Sequence, residues 1–238
     1  MFEIHKKSCY NISMFYDPTF ILLIPAVLLA IYAQWKVSST FKKYAKVGCS
    51  RGYTGAQVAR YILDDYRLQS ITVEPVRGEL TDHYDPRSRK LRLSESVYGS
   101  NSVAAIGVAA HEAGHAIQDA KAYVPLKLRN GLVPVTNLGT TLAFPLFFIG
   151  MFASLPQLMD FGIILFALAV IFSVITLPVE FNASSRAIRV LADGNFLTER
   201  ELPQAKAVLN AAALTYVAAT AMAALNLVRL LVLRNQRD

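Results

Sequence analysis

Four stretches of the chain are apolar enough to cross a bilayer, and one long polar segment separates the first from the second. About 20 residues of helix span a hydrocarbon core. Thr19–Trp35 is the first such run and closes on Trp35 and Lys36, an interfacial anchor pair. Gly131–Ala153 and Leu158–Leu177 follow, joined by the short loop Ser154–Gln157. The fourth run, Ala207–Leu233, is rich in Ala and carries Asn210, Asn226 and Arg229. It reads as a helix packed through small residues, with an amphipathic helix lying on the surface as the alternative.

The polar segment has its own pattern. Thr54 and Gln57 have capping-box spacing, and they open a helix with Val58, Ile62, Leu63 and Tyr66 on one side. Three short extended runs follow, Ile71–Val76, Leu80–Tyr84 and Lys90–Ser94, with a turn at Asp85–Ser88. A second helix, capped by Asn101 or Ser102, then runs to about Asp119. The order predicts helix, small antiparallel sheet, helix.

Composition agrees with a membrane chain: 54% of residues are hydrophobic and only 17% charged. Fifteen Lys and Arg lie between the first and second runs, none lies in Ser154–Gln157, and Arg186, Arg189, Arg200 and Lys206 follow the third run. The positive-inside rule therefore places 36–130 and 178–206 together in the cytoplasm. Lys6 and Lys7 disagree with that orientation, and a start at Met14 would remove the disagreement. The net charge of +7 suits loops beside anionic lipid. No basic cluster is interleaved with aromatics, so no nucleic-acid partner is expected. Cys9 and Cys49 flank the first run without CxxC spacing, which predicts two unpaired thiols.

The chemistry is concentrated in the second polar-segment helix. Residues four apart share a helix face, so His111 and His115 can offer two imidazole nitrogens to one metal ion. Glu112 is turned about 100° from His111, within reach of a water on that ion but not a ligand itself. This is the HExxH arrangement, two zinc ligands and a general base. Zinc acidifies its water and polarises a carbonyl, and Glu112 would carry the water's proton to the leaving amine. A short motif can arise by chance. Here two of the chain's four histidines fall in it, and its flanks are small and apolar.

A catalytic zinc takes a third protein ligand. Glu180 is the candidate, at the mouth of the third run, with pairing to Arg186 or Arg189 as its plainer alternative. His83 could donate to a developing oxyanion, though a lone strand histidine is often structural. Asp119 could orient a metal-bound imidazole, or simply end the helix in solvent.

Several motifs together resemble the YugP-type neutral zinc metallopeptidases of bacterial membranes. They include Leu80–Ser88, Arg92–Ser96, Ala104–His115, Leu177–Ser184 and Leu209–Ala218. The layout is also similar to the membrane gluzincins of the HtpX and CAAX prenyl protease type. That resemblance implies Glu180 as third zinc ligand, a zincin-like fold, and Lys90–Ser94 as the edge strand that binds peptide. In the larger group an Asp stands where this chain has Ser184.

The expected architecture is an α-helical membrane protein of about four transmembrane helices with a small α+β zincin-like catalytic domain. Its expected parts are a tail at 1–18, a span at 19–35, the catalytic domain at 36–130, two spans at 131–177, a third-ligand segment at 178–206, a fourth helix at 207–233 and a tail at 234–238. The expected function is zinc-dependent endopeptidase action near the membrane surface of a bacterial cell membrane. Membrane-protein or peptide substrates and membrane lipid are the expected partners. The alternative is a zinc-binding membrane scaffold that cleaves little. It is disfavoured because a structural site does not need Glu112 and usually closes with four ligands.

Overall fold

A computed structural model describes residues 18–236. The readings made on Cys9, Lys6, Lys7 and Met14 lie outside the described residues. In chain order the elements are α1 (Ile24–Tyr44), entered through a 3-10 turn at Pro18–Leu23, then α2 (Gly55–Asp65), β1 (Thr72–Val76), β2 (His83–Asp85) and β3 (Lys90–Ser94). They continue with α3 (Glu95–Tyr98), α4 (Val103–Ala120), α5 (Val124–Ala153), α6 (Pro156–Asp193) and α7 (Leu202–Asn235).

Hydrocarbon offers no water to backbone amides, so an apolar run can cross it only with its hydrogen bonds closed internally, as a helix. α1 with its entry turn, α5, α6 and α7 are each long and apolar enough to cross a membrane. The chain is a helical membrane protein with a small α+β region. The long helices stand in a row: α1 packs on α7, α7 on α6, and α6 on α5.

These helices outlast the apolar runs that announce them. α1 continues past Trp35 to Tyr44. α6 carries on through Pro178 to Asp193, so Glu180 stands in the third membrane helix and not in a separate segment. A helix-interior proline removes one backbone hydrogen bond. Val179, Ala183 and Ala187, fully buried where α6 packs on its neighbours, keep the helix going past it.

The polar segment folds as its caps prescribe. Thr54 Oγ1 accepts from Gln57 N at 3.3 Å and Gln57 Oε1 accepts from Thr54 N at 2.9 Å, closing the capping box of α2. Ser102 caps α4, accepting from Ala105 N at 3.2 Å. Asp85 makes the turn after β2, its carboxylate accepting from Arg87 N at 3.0 Å and Ser88 Oγ at 2.6 Å.

The sheet corrects two expectations. It is mixed, in the order β1-β3-β2, with β1 parallel and β2 antiparallel to β3. Lys90–Ser94 is therefore the central strand, and β1 and β2 are the edges. The tight Asp85 turn commits three-residue β2 to one side of β3, which leaves the other side to β1. Leu91 and Leu93 of β3 are fully buried in the core beneath α2 and α4.

α4 is enclosed by α2, α6 and α7. Its closest approach is at Gly114, where a Cβ would stand 2.9 Å from the Ala183 carbonyl oxygen of α6. Only the missing side chain lets the two backbones meet. Cys49 is buried and donates to the Phe196 carbonyl at 3.3 Å, an inert thiol among the described residues.

Glu201, just ahead of α7, fastens the membrane helices to the polar segment. Its carboxylate accepts from Ser50 N and Oγ at 2.8 and 2.7 Å and from Thr198 N and Oγ1 at 2.8 and 2.9 Å. Burial pushes this carboxyl up, but the bonds from Thr198 and Ser50 outweigh it and hold its pKa at about 2. A depressed carboxyl contributes stability above its unfolded value, and that contribution is lost as pH falls from about 4.5 toward 2. Glu201→Gln turns an amide NH₂ toward donors. It should lower the melting temperature at pH 7, and the gap from wild type should close as the measurement is repeated toward pH 3.

Candidate metal centre

His111 and His115 lie one turn apart on α4, with ring centroids 4.7 Å apart and planes at 85°. Their Nε2 atoms are 3.2 and 3.6 Å from Glu180 Oε2. The three potential ligand atoms all fall within 4.8 Å of one another. Tetrahedral zinc with bonds of about 2.0 Å separates its ligands by about 3.3 Å, so two imidazoles and a carboxylate at these distances fit that ion. The donor types fit it as well.

The remaining contacts turn each imidazole toward that centre. Ser184 Oγ is 3.1 Å from His111 Nδ1, and Gln118 Oε1 is 3.0 Å from His115 Nδ1. With Nδ1–H given to these oxygens, both Nε2 lone pairs face Glu180. Gln118 is fully buried and is itself fixed, donating to the Val179 carbonyl at 2.9 Å and Asn182 Oδ1 at 3.0 Å of α6. Arg186 also binds Asn182, at 2.7 Å. Glu180 thus faces the histidines, and Arg186, its plainer alternative partner, is engaged elsewhere.

The electrostatics favour a cation here. Burial pulls the His115 imidazole down, but the hydrogen bond to Glu180 and the charges of Glu112 and Glu180 outweigh it and raise its pKa. Two carboxylates stabilise positive charge at this point, whether a proton or a metal ion brings it.

Glu112 is not among the three potential ligands. It is 8% exposed, lines the adjoining cavity and accepts from the backbone N–H of Tyr84 at 3.1 Å. That amide lies on β2, so the open edge of the sheet faces the site. The cavity, about 180 Å³, is lined by Asp82 and His83 on one side and by Leu126, Arg129 and Tyr216 of the membrane helices on the other. Burial raises the Asp82 carboxyl, against the bonds it accepts from Ser94 N and Oγ.

His83 borders the cavity, but its ring is engaged at the exposed rim. Nδ1 is 2.7 Å from the Thr81 carbonyl and Nε2 is 3.3 Å from Arg92 Nη1. Asp119 does not touch the imidazoles. It accepts from Tyr84 Oη at 3.0 Å, pinning β2 to α4, and burial together with that bond raises the Tyr84 phenol, which stays a donor. The orienting contacts belong to Gln118 and Ser184 instead. Gln118 is three residues beyond His115 and Ser184 four beyond Glu180, and that helical spacing is the sequence signal that would have found them. Arg129 and Tyr216 carry no such signal and are brought in by tertiary packing.

A family model described as "Putative neutral zinc metallopeptidase" matches residues 19–235. The chain is also 50% identical over 218 residues to the "Putative membrane protease YugP" of Bacillus subtilis (strain 168), covering 91% of this chain and 97% of that protein. No solved structure matches it.

Removing an orienting contact should weaken metal binding without touching a ligand. Gln118→Leu and Ser184→Ala are each expected to lower zinc affinity by roughly 10–100-fold, measured by competition with a chromogenic chelator on the purified full-length protein.

Proposed function

The chain belongs to the neutral zinc metallopeptidase family, and on that footing we propose that it is a membrane-embedded zinc endopeptidase cleaving peptide bonds at the cytoplasmic face of the bilayer. One observation carries the reading: two imidazoles of α4 and a carboxylate of membrane helix α6 converge beside a cavity that also holds Glu112. His111, His115 and Glu180 would hold the ion. When bound, zinc supplies Lewis acidity, polarising the scissile carbonyl and making water acidic enough to lose a proton near neutral pH.

Glu112 takes that proton on a carboxylate oxygen as the water oxygen attacks the carbonyl carbon. It returns the proton to the amide nitrogen as the C–N bond breaks. The Tyr84 amide steadies Glu112 before substrate arrives. Because β2 and not β3 is the open edge on this side, an extended peptide would align along His83–Asp85.

The position of Glu180 supports substrates presented at the membrane. Glu180 lies 24 residues beyond Pro156 along α6, about 36 Å of helix, slightly more than a hydrocarbon core. That length supports a site close to where α6 leaves the lipid. The Lys and Arg clustering on the same side supports a cytoplasmic orientation.

The alternative, a zinc-binding scaffold with little activity, has no use for Glu112. Glu112→Ala should keep one zinc per chain by elemental analysis and lose at least about 10²-fold in hydrolysis of a peptide substrate. Unchanged turnover in that variant would leave the scaffold reading in its place.

A further inference from the structure

Arg129 is a charge in an unusual place. It lies in the second turn of α5, a membrane helix, and lines the cavity beside Glu112, His115, Glu180 and Tyr216. Among the described residues lining that cavity it is the only Lys or Arg. Its side chain is 28% exposed and forms an ion pair with Glu180, Nη1 to Oε1 at 3.6 Å, longer than a hydrogen bond. Its Nε is buried without a partner.

A guanidinium presents five donors, and desolvating them is costly unless an acceptor engages them. The cavity's carboxylates do so only through the single long ion pair with Glu180. Asp82 is held by Ser94, Glu112 by the Tyr84 amide, and Glu180 directs Oε2 to the histidines. A guanidinium near the membrane boundary held by one long ion pair keeps donors for an acceptor that arrives from outside.

We propose that Arg129 is a catalytic residue, donating to the scissile carbonyl oxygen as that oxygen becomes negatively charged. This rests on the peptidase reading above. When the water oxygen bonds to the carbonyl carbon, the C=O π pair moves onto oxygen. When the C–N bond breaks, that pair returns and the proton held by Glu112 goes to nitrogen. Arg129 neither gains nor loses a proton; it is charged throughout and stabilises the oxyanion that exists only between those two events. The role that the sequence offered to His83 thus falls to a membrane helix, while His83 is spent at the rim on Thr81 and Arg92.

A purely positioning role, Arg129 steadying Glu180, makes different predictions. The test uses full-length protein in nanodiscs, comparing wild type, Arg129→Met and Arg129→Lys. Zinc stoichiometry, kcat and KM on a fluorogenic peptide, and the Kd of a phosphinic peptide that mimics the tetrahedral state are measured on each. Arg129→Met should keep one zinc per chain and lose about 10²–10³-fold in kcat with KM changed only a few-fold. The phosphinic peptide should weaken by about the same factor as kcat/KM, and Arg129→Lys should recover part of both. Loss of zinc in step with activity, or a phosphinic Kd unchanged from wild type, overturns the proposal. If wild type neither hydrolyses peptides nor binds the phosphinic peptide, the peptidase reading itself fails.

Discussion

A carboxylate 2% exposed on a membrane helix must find compensating charge, and Glu180 finds it in the Arg129 ion pair and in the cation site it forms with two imidazoles from a different part of the chain. That single requirement ties the polar segment to the bilayer helices. Leaving such a group unpaired would cost several kcal/mol, so α4 cannot drift from α6 without heavy loss. Gly114 lets the backbones come close enough, and Gln118 spans the seam with bonds to Val179 and Asn182. Bringing imidazoles and carboxylate together serves stability and metal binding by the same contacts.

Around this seam the rest of the molecule acts as support. α6 stands between α5 and α7 in the row of long helices, and each neighbour lends the cavity a side chain, Arg129 from one and Tyr216 from the other. The small sheet closes the opposite wall, held by the Tyr84–Asp119 hydrogen bond. Glu201 fixes the start of α7 to the loop after α1. The hydrogen bonds of Gln118, Tyr84 and Glu201 at these junctions are short-range and specific, which favours one relative placement of the two halves over many.

Local chemistry made much of this legible in the sequence. The helical repeat alone put His111 and His115 on one face, and the capping residues Thr54 and Ser102 marked where α2 and α4 begin. The four apolar runs revealed the membrane helices but not their ends, since a helix can continue beyond lipid on packing alone. Glu180 was legible as a charge where charge is scarce and, through the family resemblance, as a third ligand. Strand pairing was not legible: alternation tells which side chains face the core, not which strand lies beside which, and the sheet proved mixed. The sequence offered Asp119 either as a group orienting a metal-bound imidazole or as a solvated helix end. Tyr84, a residue distant in sequence, claimed it, and neutral Gln118 took the contact. Arg129 was counted in the sequence only as one of many basic residues near a membrane boundary, because nothing local distinguishes a cation that turns into a cavity from one that turns to lipid phosphate.

α6 crosses the lipid and delivers Glu180 as one unbroken rod. A rod that tilts to match the thickness of its surroundings swings whatever it carries, and α4, fastened to α6 at Gly114 and Gln118, is carried with it. The seam would thus keep the three ligand groups in register while the helices around them adjust to the lipid.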